Sequence, residues 1–185
     1  MLPCILLRWR WFEYFYHTGT EIGNLQPAEQ LARQAVDEFT REKRSDEQAT
    51  ALATLADVHL QQHDLSGAQR DIHSALTIAG KTQDRGTHLR VGLVAAQVDA
   101  AMGNVPRAAA DLRALVRNCK RFGYLGPELE VRLVLGQTEL SIHHDLGEAL
   151  LASVAKEAKQ RGFLLISHKA ASAAEPKLTR NQPHF

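Results

Sequence analysis

The sequence predicts an all-α fold, a solenoid of about four helix pairs with a period of about 40 residues, and three observations carry that expectation. A short phrase returns at nearly fixed spacing: Asn24-Leu25-Gln26-Pro27-Ala28, Asp64-Leu65-Ser66-Gly67-Ala68, Asn104-Val105-Pro106-Arg107-Ala108 and Asp145-Leu146-Gly147-Glu148-Ala149, at intervals of 40, 40 and 41 residues. After each of the first three phrases the apolar or small residues keep the same offsets: Ala28, Ala32, Ala35, Val36, Phe39; Ala68, Ile72, Ala75, Leu76, Ala79; Ala108, Leu112, Leu115, Val116, Cys119. Those offsets trace one stripe of a 3.6-residue helix. No stretch shows the apolar-polar alternation of a half-buried strand.

At the N-terminus, residues 1–19 form an aromatic-rich segment with six of the chain's eleven aromatic residues between Trp9 and Tyr16. The segment reads as an atypical first helix with Ile5, Trp9, Phe12 and Tyr16 inward. Trp11, Tyr14 and Phe15 would then face out, which is the mark of an interface. A homodimer through this segment is one expectation, and an interfacial membrane helix or a stretch outside the natural frame are the others. A membrane span is not expected, because the apolar run is far short of about 20 residues.

Residues 20–174 are expected to form the repeat domain. Each recurring phrase has the chemistry of a turn between helices: a capping Asn or Asp, an apolar residue, positions tolerant of Pro or Gly, then a small residue as the next helix begins. The segments before the turns read as helices from about Ser45 to Gln62, Thr87 to Met102 and Pro127 to Ile142. Ser45 with Gln48 has the spacing of a capping box, and Pro127 suits a first helical turn, where its missing N–H has no intrahelical partner. Ala56, Ala96 and Gly136, again 40 apart, are small enough for two helices to approach closely. A last helix through Ser167 to Ala174 would cover the final pair, since an uncovered end of a stack leaves its apolar face wet. Residues 175–185, polar and with two prolines, read as a disordered tail.

These residues resemble the tetratricopeptide repeat family, in which the first helix of each pair carries a Leu-Gly/Ala pair and the second opens on Ala. Leu55-Ala56 with Ala68 and Ala75, Leu135-Gly136 with Ala149, and Ala95-Ala96 with Ala108 carry the likeness over roughly residues 20 to 162. The period is 40 instead of the family's 34, and the aromatic residues usual near the start of the first helix are absent. HEAT-like and other helical repeats therefore compete, all of them α-solenoids. The resemblance implies a right-handed α-α superhelix whose first helices line a concave groove. Position by position, it implies a groove formed by Asp57, Leu60, Arg90, Leu93, Gln97, Glu130, Leu133 and Gln137, with Thr50, Ala53, Ala100 and Leu140 beside them. The Lys and Asn set with which some members clamp a C-terminal carboxylate is missing. The 40-residue units and the ending also resemble the C-terminal sensor or scaffold regions of bacterial signalling proteins that carry a kinase or winged-helix domain upstream.

The function implied is a protein–protein interaction scaffold that binds a peptide or partner helix. The alternatives are a self-associating structural module and a fragment of a multidomain kinase or transcription regulator. Composition agrees with a binding role: 22 basic and 21 acidic residues leave a net charge of +1, without the concentrated basic footprint that nucleic acid requires. Arg107, Arg113, Arg117, Lys120 and Arg121 are read as a solvated helix face. No signal-peptide pattern appears, so a cytoplasmic location is expected. Cys119 occupies the place of Phe39 and Ala79 in the sister helices and is read as a buried reduced thiol.

No catalytic residue, cofactor or metal is expected. His59 and His63, with Asp64 adjacent, have the i, i+4 spacing of a zinc pair, but a third ligand at a recognisable spacing is missing. His143-His144-Asp145 falls at a turn, where polar residues cap helices. The glycines do not form a phosphate loop, and no nucleophile elbow is present, so an enzyme is not expected.

Overall fold

The computed structural model describes residues 25–175. These residues form eight helices and no strand: α1 (Gln26–Arg41), α2 (Ser45–Gln61), α3 (Leu65–Ala79), α4 (Arg85–Ala101), α5 (Val105–Phe122), α6 (Leu125–Glu139), α7 (His144–Gln160) and α8 (Leu164–Ala174). None of them is long and apolar enough to cross a membrane. The aromatic segment 1–19 and residues 176–185 of the expected tail lie outside the described residues.

The helices end where the backbone can turn. Lys43, His63, Gly103, Gly123 and Gly162 take positive φ just after α1, α2, α4, α5 and α7, the left-handed conformation that closes a helix C-terminus. Starts are capped less uniformly. Asp64 accepts from the Gly67 N–H at 3.0 Å and Asp84 from the Thr87 N–H at 2.6 Å, so α4 begins two residues before Thr87. The expected Ser45–Gln48 capping box does not form. Ser45 is already helical, and the Gln48 amide donates instead to Thr40 Oγ1 across the turn, at 2.8 Å.

The chain divides into two compact units, with α5 running from one into the other. In the first, α2 packs on α1, α3 and α4, and α3 packs on α4. Being surrounded, α2 is buried at nearly every position from Ala49 to His59, and small side chains make that possible. Its core joins Ala49, Leu52, Ala53 and Ala56 to Ala68, Ile72, Ala75 and Ala79 of α3 and to Val91, Val94 and Val98 of α4. In the second unit α6, α7 and α8 pack on one another around Leu133, Leu151, Val154 and Ala170. A fully buried leucine such as Leu151 contributes about 2 kcal/mol through removal of apolar surface from water.

The stripe of the fourth phrase is displaced from its expected place. In α3 the buried positions are Ala68, Ile72, Ala75 and Ala79, whereas in α7 they are Gly147, Leu151, Val154 and Ala158, and Ala149 is exposed. The cause is a close helix crossing. A Cβ on Gly147 would lie 2.6 Å from the Leu140 backbone nitrogen, so the glycine takes the contact and the alanine two residues on turns to solvent.

Candidate binding surface and buried ionic clusters

The residues assigned to a groove divide between the units. In the first, α2 and α4 lie against each other. Asp57 and Leu60 on α2 and Arg90 and Gln97 on α4 are half-buried, while Leu93 is buried. Leu60 rests on the edge of the core. Arg90, Leu93 and Gln97 are three and four residues apart, hence on one face of α4. In the second unit Glu130 is half-buried, Gln137 is exposed and Leu133 belongs to the core. Recognition of a ligand by these positions would fall on the polar side chains, because Leu93 and Leu133 are already spent on packing.

The most elaborate chemistry in the first unit lies elsewhere, around His59. The ring is 3% exposed, and its Nδ1 is 2.8 Å from Asp71 Oδ2 on α3, close but not aligned as a straight hydrogen bond. Its Nε2 is 3.2 Å from Arg33 Nη2 and 3.7 Å from Glu29 Oε1, both on α1. A guanidinium only donates, so Nε2 is the acceptor and the ring proton sits on Nδ1, toward Asp71. Glu29 also pairs with Arg33 at 2.8 Å and accepts from the Gln62 amide at 2.9 Å. The Gln62 hydrogen bond, followed by that from Arg33, holds the Glu29 carboxyl below its ordinary range. Gly67 leaves room for this arrangement, since a Cβ there would come within 2.9 Å of His59 Nδ1.

A histidine oriented by a carboxylate has the outline of a general base, but both His59 nitrogens already face protein groups and the ring has almost no access to solvent. The cluster ties α1, α2 and α3 together. His63, by contrast, is exposed at the turn with φ of 61°, so the two histidines do not share a site. Among the described residues no group of three or more His, Cys, Asp or Glu side chains could hold a metal ion.

The second unit has a different cluster. Glu139, at the end of α6, is 1% exposed and pairs closely with Arg113 of α5, with His143 Nδ1 at 3.3 Å from its other oxygen. Arg132 bridges Glu128 at 3.4 Å and Glu157 at 2.6 Å, joining α6 to α7. Its hydrogen bond lowers the Glu157 pKa. Three further basic residues of α5 are engaged: Arg107 with Asp99 at 3.5 Å, Lys120 with Glu128 at 3.8 Å, and Arg121 over the Phe122 ring. Cys119 is fully buried and free, and burial pushes its thiol pKa up, which disfavours the thiolate.

The gathering of Glu29, Arg33, Gln62 and Asp71 around His59 is not readable from spacing. The one trace in the sequence is the Glu29/Arg33 pair at i, i+4, which any exposed helix can carry. Compared with known protein families, curated proteins and solved structures, the chain matches none.

Proposed function

We propose that the protein is an interaction scaffold, a tetratricopeptide-like stack of helix pairs that takes a peptide or partner helix against α2 and α4 and, in the second unit, α6. Asp57, Leu60, Arg90, Leu93, Gln97, Glu130, Leu133 and Gln137 are the positions assigned to that surface. The observation that carries the reading is the common spacing of buried residues in every second helix. Ala28, Ala32 and Phe39 in α1, Ala68, Ile72 and Ala79 in α3, Ala108, Leu112 and Cys119 in α5, and Gly147, Leu151 and Ala158 in α7 keep offsets of four and eleven from the first. One packing solution used four times is what a stack of equivalent units requires. The right-handed superhelix, the period near 40 residues and a cytoplasmic signalling role belong to the same proposal.

A displayed library of random peptides, selected on the full chain, tests it. Selected peptides are expected to lose at least about tenfold in affinity to the Arg90→Ala/Gln97→Ala variant and less than about twofold to Arg41→Ala, which changes an exposed residue of α1. Failure to enrich any sequence, or enrichment indifferent to the α4 substitutions, would overturn the assignment of this surface.

A further inference from the structure

The outer face of α8 is complementary to itself. Ile166, Ala170, Ala173 and Ala174 turn toward the core of the second unit, and Leu164, Leu165, His168, Ala171 and Ser172 are exposed, with Glu175 just beyond. Leu164 at 67% and Leu165 at 47% are unusually open for side chains of their size. Counted from His168, the two leucines lie four and three residues toward the N-terminus, and Ser172 and Ala171 lie four and three toward the C-terminus. Arg161, which caps the C-terminus of α7 three residues before α8 begins, and Glu175, which caps the C-terminus of α8, are both exposed, so opposite charges flank the two ends of the helix.

We propose that this face docks a second copy of the chain, α8 lying antiparallel on α8 of the copy about a two-fold axis at His168. A two-fold contact pairs each residue with the one equally far on the other side of the axis. Leu164 then fills the space over Ser172 of the second copy, and Leu165 that over Ala171, large against small as ridges-into-grooves packing demands. Glu175 meets Arg161 of the second copy at both ends, opposite charges twice over. A parallel pairing would instead set Arg161 against Arg161 and leucine against leucine. The charges therefore select the antiparallel arrangement. An 11-residue helix is about 16 Å long, and the contact falls short of the roughly 800 Å² per partner of a standard interface. The dimer is accordingly weak and reversible.

Sedimentation of the full chain from about 5 to about 500 µM is expected to show a monomer–dimer equilibrium in the upper part of that range. Leu164→Glu with Leu165→Glu should raise the dissociation constant at least about tenfold while leaving the melting curve unchanged, since both side chains are exposed. In a Cys4→Ser background, with Cys119 fully buried, His168→Cys should form an intermolecular disulfide with itself. Ser172→Cys should form one only when mixed with Leu164→Cys. A monomer at every concentration, a dimer indifferent to the glutamates, or Ser172→Cys pairing with itself would each overturn the proposal. So would a chain that dimerises only after deletion of residues 176–185, because that segment would then be the occupant of the face.

Discussion

His59 and Glu139 lie near the C-terminal ends of α2 and α6, each almost fully buried, and the two units satisfy them by opposite means. Around His59 the polar load is shared: Glu29, Arg33, Gln62 and Asp71 come from α1, α3 and the turn after α2, and Glu29 draws on more than one donor. Glu139 relies on one cation, Arg113, with His143 a more distant second. A shared network loses a fraction of its stabilisation when one member is removed, whereas a single buried pair leaves an uncompensated charge. The first unit is therefore the more tolerant of the two toward loss of an arginine, although it buries more polar groups.

The largest expected effect follows directly. Arg113→Ala should cost about 3 kcal/mol, because the Glu139 carboxylate stays buried without its cation. Arg33→Ala, which leaves Gln62 bonded to Glu29, should cost about 1 kcal/mol. Urea unfolding of both variants makes the measurement, and equal losses would abolish the distinction between the clusters.

A second comparison concerns the helix crossings of the same two units. Gly147→Ala should destabilise by about 2 kcal/mol, since its new methyl group meets the Leu140 backbone. Ala68→Glu should do at least as much, about 2 kcal/mol or more, at a fully buried position. Ala149→Glu, on the exposed side of α7, should stay within about 0.5 kcal/mol of the parent. Thermal melts rank the three variants, and a damaging Ala149→Glu would restore the register suggested by the turn phrase.

Acid should produce the smallest difference between the units. Glu29 is held below its ordinary pKa mainly by Gln62, and Glu157 by Arg132. A carboxylate whose folded pKa is depressed stabilises above its unfolded value and loses that contribution as pH falls through the folded one. Stability should thus be level from about pH 7 to 5 and decline below about pH 4. The Glu29→Gln/Glu157→Gln variant should begin lower at neutral pH and decline less; an unchanged acid slope would mean that other carboxylates govern it.

Much of the helical framework is legible in the amino-acid order. Of the stripe Ala68, Ile72, Ala75, Leu76, Ala79 visible before any folding, four members are buried in α3, while Leu76, at the edge of the stripe, is 46% exposed. The small residues Ala56, Ala96 and Gly136 are likewise buried. Where local chemistry has two equivalent solutions, the order misleads. Asp145-Leu146-Gly147-Glu148-Ala149 matches the turn phrase of the other pairs, yet α7 begins at His144 and buries Gly147. Ser45 and Gln48 have capping-box spacing, but Thr40 lies within reach of the Gln48 amide and takes it. His59 and His63 look paired because they are four apart, and they separate because one is packed against α1 and α3 while the other forms the turn.

By itself, the sequence determined that these residues form helices and, Leu76 excepted, which stripe of α1, α3 and α5 turns inward. That information is local: side chains three and four residues apart share a face whatever the helix meets. Tertiary structure decided the register of α7 and the partners of the buried ionisable groups. Arg33 and His59 are 26 residues apart, Gln62 and Glu29 are 33 apart, and Arg113 and Glu139 are 26 apart. No helical period connects such pairs, and only the packing of one helix on the next brings the atoms within hydrogen-bonding distance.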